Sequence, residues 1–438
     1  MDHSVKTTNA LKRLTSLFDD GIFTEIDAFA KSAQGDVEVV AGFGSVNGVL
    51  AYAFSQDVTV NSGAVSIAQC AKILKVYNLA AKTGCPIIGI YDSNGVKLTE
   101  GFDALTAYGE VVKASSSVSG VVPQISVVAG ACLGSSALIA NMADIVIAVK
   151  DADFYITAPS DATVEQTASE GAVDITAQDA DAAILEARRV ISLFPSNNLS
   201  PLPIFDFENP DAISAEDADA QQIIASIADK SSLLELKKTY ADNVVTALGT
   251  VAGTTVGFIG FNAKALCPGC AYKAQAMLAL CDAYNIPVIT IANADGLTQG
   301  KEAQMLIAAT KLTCAYAGAT TAKISLVTGQ SIGSAYIMLA GKGANADITL
   351  AWDSAVVSPL DVDSAVAFLY NDRLAQGEDR NALEAEYKTT VGSAFTAAAT
   401  GAVDDVFAPE QTRAKIVAAL DMLAGKRETT IARKHSVK

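Results

Sequence analysis

Histidine is almost missing from this chain. His3 and His435 are the only two in 438 residues, one near each end. An interior without imidazole leaves Ser–His, Cys–His and His-ligated metal chemistry close to excluded. Any reaction must use peptide dipoles, carboxylates, lysines, tyrosines or groups brought by another molecule. Positive charge is short as well: 31 Lys and Arg face 48 Asp and Glu, a net charge of −17. That argues against a nucleic-acid backbone or an anionic bilayer as the main partner, while a local pocket could still take a small anion. Long apolar runs are also lacking. The most hydrophobic stretch, Val121 to Val149, is broken by Gln124, Asn141 and Asp144, and Met1 to Leu14 has no apolar run. We expect no membrane span, no signal segment and a cytoplasmic location. The seven cysteines are an odd number, and most lie in apolar segments, as Cys70, Cys132, Cys281 and Cys314 do. They read as small buried hydrophobes in a reducing compartment. Cys267-Pro268-Gly269-Cys270 has no second pair and no nearby histidine, so it reads as structural thiols rather than a zinc or redox site, and no metal is expected.

What is present is a long repeat. Lys72 lies fourteen residues before Pro86, with Gly95 nine further on; Lys273, Pro287 and Gly296 keep the same spacing. The run Ile125 to Ser136 returns as Ile324 to Ala335. A period of about two hundred residues is too long for a solenoid and marks a duplicated domain. Both halves open with a helix and an acidic turn (Leu11–Leu17 then Asp19; Ile223–Ala228 then Asp229), followed by glycine-marked hairpins at Gly44–Gly48 and Gly249–Gly253. Helices are predicted over Val65–Ala81, Ala104–Ala114, Ala271–Tyr284, Glu302–Ala317 and, at the end, Gln411–Lys426, with a disordered basic tail after it. Buried strands follow the prolines, and strand–helix alternation predicts an α/β fold with parallel-rich sheets and surrounding helices. The acidic, Pro-containing segment Asn209–Asp219 suits a linker, and the boundary is set between 1–205 and 206–438.

The chemistry points to two loops. A β-branched strand runs into Gly130-Ala131, and Gly134-Ser135-Ser136 then opens a helix; Gly333-Ser334-Ala335-Tyr336 repeats the design. The first N–H groups of a helix have no internal partner and lie at the positive end of its dipole. Small residues leave room for another molecule's oxygen to reach them. Lys72 and Lys273 read as surface lysines, Trp352 as a core or interface anchor, and Tyr336 more as packing than as site lining.

From about Leu14 to Leu423 the chain resembles the carboxyltransferase subunit of biotin-dependent acyl-CoA carboxylases and decarboxylases. The resemblance rests on Leu17-Phe18-Asp19-Asp20-Gly21-Ile22-Phe23-Thr24-Glu25, Val122-Pro123-Gln124-Ile125-Ser126 with its loop, Leu280 to Pro287, Ala335-Tyr336, and Asp404-Asp405-Val406 with Thr412-Arg413. It implies tandem crotonase-like (ClpP/crotonase) domains. It implies an acyl-CoA against the first, its enolate oxygen held by amides at Gly134 and Ser135, with Gly95, Gly130, Ala131 and Leu133 lining the site. It implies biotin on a separate carrier protein at the second, its ureido oxygen held by amides at Ser334 and Ala335, with Gly333, Tyr336 and Ile337 beside it. Ile337 stands where family members vary with acyl size. A biotin carboxylase subunit, or membrane decarboxylase subunits, would complete the system, and the chain would be a homo-oligomer, a dimer at least and a trimer of dimers by family pattern. Two departures stand out. Serine replaces the second glycine of each loop, and Lys97 stands where the family carries arginine. The reading is therefore a carboxyltransferase for a short acyl-CoA. A decarboxylase subunit and a non-catalytic scaffold remain as alternatives, and a crotonase-type hydratase is disfavoured because no glutamate pair flanks the loops.

Overall fold

A computed structural model describes residues 8–32, 35–157, 160–213, 218–262, 265–339 and 341–431. The two histidines, and the part of the basic tail after Ile431, lie outside the described residues. The chain divides into two compact units, Met1–Pro203 and Ile204–Lys438.

The first unit is built on strands β1 (Phe23–Glu25), β2 (Val39–Val46), β3 (Val49–Gln56), β4 (Ile87–Ser93), β5 (Gln124–Leu133), β6 (Ile145–Val149), β7 (Phe154–Tyr155) and β8 (Ile175–Ala177). They run in the order β1-β2-β3-β4-β5-β6-β8, with β7 paired to β5. The first three are antiparallel and the rest parallel. The second unit repeats this with β9 (Leu234–Leu236), β10 (Val244–Val251), β11 (Thr254–Phe261), β12 (Val288–Ala294), β13 (Lys323–Ile332), β14 (Ile348–Trp352), β15 (Val356–Ser358) and β16 (Asp405–Phe407). The order is β9-β10-β11-β12-β13-β14-β16, with β15 on β13. Strand β4 is buried along its whole length, as a parallel strand covered on both faces must be.

Helices α1 (Asn9–Leu17), α2 (Ile67–Thr83), α3 (Gly101–Val118), α4 (Ser135–Ala140) and α5 (Ala180–Leu193) serve the first sheet. Helices α6 (Ala220–Ile227), α7 (Pro268–Ala283), α8 (Glu302–Gly318), α9 (Ser334–Met338) and α10 (Thr412–Leu423) serve the second. Several of their starts follow ordinary capping chemistry. The Thr8 and Ser66 hydroxyls accept from the Leu11 and Gln69 amides, and Asp219 forms a reciprocal pair with Gln222. Glycine at the end of α2, Gly84, takes the left-handed conformation (φ 66°) that stops a helix. Trp352 is fully buried in the second core, its indole N–H donating to Thr412 Oγ1 at 2.9 Å.

Each unit closes its first hairpin with an arginine clamp. Arg188 donates to Asp19 at 2.7 Å and to the Leu17 carbonyl, while Asp19 accepts from the Asn47 and Gly48 amides at 2.9 and 3.0 Å. Arg413 donates to Asp229 at 2.6 Å and to the Ile227 carbonyl, while Asp229 accepts from the Ala252 and Gly253 amides at 3.0 and 2.8 Å. Burial alone would raise the Asp229 pKa, but the Gly253 amide and Arg413 outweigh it and hold the carboxyl below its ordinary value. The ionised native form is therefore favoured: the stability it confers is complete above the unfolded aspartate value of about 3.9 and is lost as pH falls through the lower folded value. Asp229→Asn should lower unfolding stability at neutral pH by about 1.5–3 kcal/mol and flatten the acid limb of the stability–pH curve. Urea titrations at pH 7 and pH 3 check this; an equal loss at both would refute it.

Two expectations need correcting here. Lys72 and Lys273 are not surface lysines; both are buried. Lys72 pairs with Glu25 at 2.9 Å, and Lys273 donates to the Tyr240 carbonyl at 2.8 Å. Burial draws the Lys273 pKa down to about 8. The lysines recur because each ties its helix to the segment after the unit's first helix, from 47 and 33 residues away.

Candidate active site: two matching strand–glycine–helix loops

In each unit the long central strand gains slack just before its loop. Between Tyr91↔Val128 and Ser93↔Cys132, two steps along β4 are matched by four along β5. The same shift falls between Ala292↔Val327 and Ala294↔Ser331 in the second sheet. The extra backbone includes Gly130-Ala131 in one case and Gly329-Gln330 in the other. Gly130 lies directly over the Asp92 carboxylate and Gly329 over the Asn293 amide, so that a Cβ at either would collide. Asp92 is fixed by Arg13 at 2.9 Å, and Asn293 by the Gln330 N–H at 3.0 Å.

The turns that follow have nearly one geometry. Gly134 has φ 59° and ψ −125°, and Gly333 has φ 53° and ψ −122°. A residue with a Cβ is strained there. The Gly134 N–H donates to the Tyr155 carbonyl at 3.0 Å, and the Gly333 N–H to the Ser358 carbonyl at 2.8 Å. This corrects the assignment of Gly134: its amide is consumed by the fold and holds the turn. The next amides, of Ser135 and Ser136 and of Ser334 and Ala335, have no acceptor among the described residues. Ser135 and Ser334 are exposed, whereas Ser136 and Ala335 are buried. The Ser136 hydroxyl is paired with the Tyr108 hydroxyl at 2.9 Å, which pins the start of α4.

Gly95 (φ 99°) is buried, its carbonyl accepting from Val65 at 2.7 Å and its N–H donating to Ser93 Oγ at 3.1 Å. It packs beside the Leu133 carbonyl, so the structure does bring Gly95 to the first loop. Ala131 and Leu133 are half-buried at the same loop. Lys97 does not face the loop's open side. It is buried against Glu38 at 2.8 Å, and Glu38 also accepts from Asn61 and Ser66 at 2.9 Å each. Burial alone would raise the Glu38 pKa, but Lys97 and Asn61 outweigh it and hold the carboxyl low.

The second loop opens on a cavity of about 400 Å³ between α8 and α9. Leu297, Met305, Leu306 and Ile337 give it apolar walls, Ser334 stands at its edge, and Glu302 is its single charged lining residue. Ile337 is 56% exposed there. Tyr336 turns away from this cavity: its hydroxyl donates to the Ala402 carbonyl at 2.7 Å and its ring packs on Gly341. It anchors α9, in keeping with its reading as packing more than site lining. The clamp arginines, Glu38 and the lysine pairs escaped sequence reading, because their partners lie 23 to 186 residues away; the repeat itself was the one available signal.

Two sheets of mostly parallel strands, each delivering a glycine turn with free amides beyond it, define a tandem crotonase-fold enzyme. The chain belongs to the carboxyltransferase family: residues 3–438 match the Carboxyl transferase domain. It is 33% identical to methylmalonyl-CoA decarboxylase subunit alpha of Propionigenium modestum, covering 99% of this chain and 93% of that one. It is 32% identical to the methylmalonyl-CoA carboxyltransferase 12S subunit of Propionibacterium freudenreichii subsp. shermanii, covering 99% and 92%. Among solved structures, transcarboxylase 12S with methylmalonyl-coenzyme A and methylmalonic acid bound superposes with a TM-score of 0.90 at 31% identity, covering 98% of this chain and 92% of that one. The chain is a carboxyltransferase of the biotin-dependent acyl-CoA class.

Proposed function

We propose that this subunit moves a carboxyl group between biotin, carried on a separate protein, and the α-carbon of a short acyl-CoA such as the propionyl-CoA/methylmalonyl-CoA pair. The observation that carries this reading is the pair of matched turns at Gly134 and Gly333, each leaving the following amides without a protein acceptor. At the first loop, the Ser135 N–H, backed by Ser136, receives the thioester oxygen as negative charge gathers on it. Such charge stabilisation by fixed dipoles needs no reorganisation during the reaction. Gly95 keeps the approach to Leu133 narrow. At the second loop, Ser334 and Ala335 offer donors to a urea-type oxygen, and the apolar walls beside them suit a compact bicyclic ring on an alkyl arm. Biotin, when bound, supplies the ureido nitrogen that carries the carboxyl group. Leu306 and Ile337 put apolar surface on that side. Ile337 also offers an apolar wall to the acyl substituent. The assembly is a dimer at least and a trimer of dimers by family pattern, working with a biotin carrier and a biotin carboxylase.

A second reading has its own support, since relatives include methylmalonyl-CoA decarboxylase alpha subunits. The same site runs in either direction, so co-purification with a multispan membrane subunit would decide for decarboxylation. Among the described residues no helix is long and apolar enough to cross a membrane.

Methylmalonyl-CoA or propionyl-CoA at a hundred times its dissociation constant should raise unfolding stability by roughly 2.7 kcal/mol. Methylmalonyl-CoA should also lose its carboxyl group slowly in the presence of free biotin. Neither stabilisation nor turnover with any short CoA ester would leave the scaffold reading standing instead.

A further inference from the structure

The segment Cys267-Pro268-Gly269-Cys270 does more in the structure than fill space. Cys267 caps the 16-residue helix α7, its sulfur accepting the Cys270 N–H at 3.1 Å. The two sulfurs touch at 2.6 Å. Cys267 is half-buried, and Cys270 is buried one turn further along the helix. The first unit shows what the fold itself requires at this place. There Ser66 caps α2 by accepting from Gln69 at 3.1 Å, and the Val65 N–H donates to the Gly95 carbonyl as the Leu266 N–H donates to the Gly296 carbonyl. One oxygen suffices for the cap, and the position equivalent to Cys270 carries Gln69, which bonds Gln56. The second sulfur is therefore surplus to capping.

We propose that Cys267 and Cys270 form a redox-active dithiol that exchanges with low-molecular-weight disulfides, Cys267 attacking and Cys270 resolving. The Cys267 thiol is pulled well below its ordinary pKa, first by the Cys270 thiol and then by the amides of Cys270 and Gly269. The half-buried member is thus the one whose thiolate is favoured, and a thiolate at a helix start is the reactive form. Cys270 is pushed up by that neighbouring thiolate and by burial, so it keeps its proton until called upon. Tyr240 packs beside Gly269, and Lys273 lies on the next turn of α7 with its ammonium on the Tyr240 carbonyl. Among the described residues no group of three His, Cys, Asp or Glu is placed to hold a metal ion.

The step balances without an outside reductant or metal. The Cys267 thiolate attacks one sulfur of a disulfide RS–SR, forming Cys267–S–SR and releasing RS⁻. Cys270 then gives up its proton and attacks the Cys267 sulfur, closing the internal bond and releasing the second RS⁻. Two protein thiols are oxidised, one small disulfide is reduced to two thiols, and the two protons end on them. Because Leu266 is hydrogen-bonded to Gly296 and Thr298, and Leu297 and Thr298 line the cavity beside Ser334, the pair sits one residue from the wall of the second site. The inference does not depend on carboxyl transfer.

The test uses the full-length reduced chain, equilibrated in glutathione buffers of stepped oxidised-to-reduced ratio, acid-quenched, denatured and alkylated. The peptide spanning both cysteines should lose two hydrogens and its label in one two-electron transition, and labelled thiols should fall from seven to five. In the native protein near neutral pH, Cys267 should alkylate about tenfold or more faster than Cys270. Cys270→Ser should trap a glutathione adduct on Cys267, and Cys267→Ser, which keeps a capping oxygen as Ser66 does, should leave Cys270 unmodified. Full labelling of both thiols at every ratio, or separate adducts on each with no internal bond, would overturn the proposal.

Discussion

Ser135→Pro should reduce carboxyl transfer by about two to three orders of magnitude while leaving the thermal midpoint nearly unchanged. Proline is tolerated at the first position of a helix, where its missing N–H breaks no helical bond and its fixed φ is already suitable. Ser135 is the first residue of α4, and its amide has no acceptor among the described residues. The substitution therefore deletes one donor and little else. Loss of one oxyanion donor elsewhere costs about 2.7–4 kcal/mol of barrier, which is the basis of the expected fall. The loss should appear in kcat more than in KM, because the donor matters most once charge has developed. Ser334→Pro should act alike at the second loop. Ser135→Ala keeps the N–H and should stay within a few-fold of the parent. Equal losses for alanine and proline would assign the effect to the hydroxyl and sink the backbone reading.

Lys97→Met should destabilise the first unit by about 3–5 kcal/mol. The variant leaves Glu38, which has no solvent exposure, charged beside only the neutral donors of Asn61 and Ser66. Removing one member of a buried pair costs far more than the pair was worth, because an uncompensated charge remains. The pairing of Glu38 with Ser66 and Lys97 also joins the start of α2 to the segment that follows Gly95, so the damage should reach the loop. The measurement is amide hydrogen exchange in β4 and β5, since Trp352, the single tryptophan, reports the second unit. Adding Glu38→Gln to Lys97→Met should recover a large part of the loss. No recovery in the double variant would place the effect in packing of the lysine stem instead.

Much of this architecture was legible beforehand, and the reasons are local. Helix α8 was predicted to within one residue, and α2 to within two, because apolar residues recur at helical spacing and buried strands announce themselves after Pro86 and Pro287. Turns at Asn47-Gly48 and Ala252-Gly253 could be read because glycine marks them. Helix α7 begins three residues earlier than expected: Pro268 suits a first turn, and Cys267 supplies a cap that is easily passed over when only oxygen caps are sought. Lys72 and Lys273 were misjudged for one reason. A lysine looks solvated until the fold brings up a carboxylate or carbonyl, and those partners lie 47 and 33 residues away. At the loops, the small residues were visible, but the owner of each N–H was not. Only coordinates show that Tyr155 and Ser358 claim the glycine amides and free the next ones.

The twin turns have a consequence for inheritance. Their working atoms belong to the main chain, and nineteen of twenty side-chain choices leave a peptide N–H in place. Drift can then rewrite the sequence around such a centre without erasing it. Asp92 has become Asn293 across the duplication, and Leu133 has become Ile332, yet the glycine dihedrals differ by only a few degrees. Descendants of one ancestor can thus change cavity walls such as Ile337 while the turns themselves pass on intact.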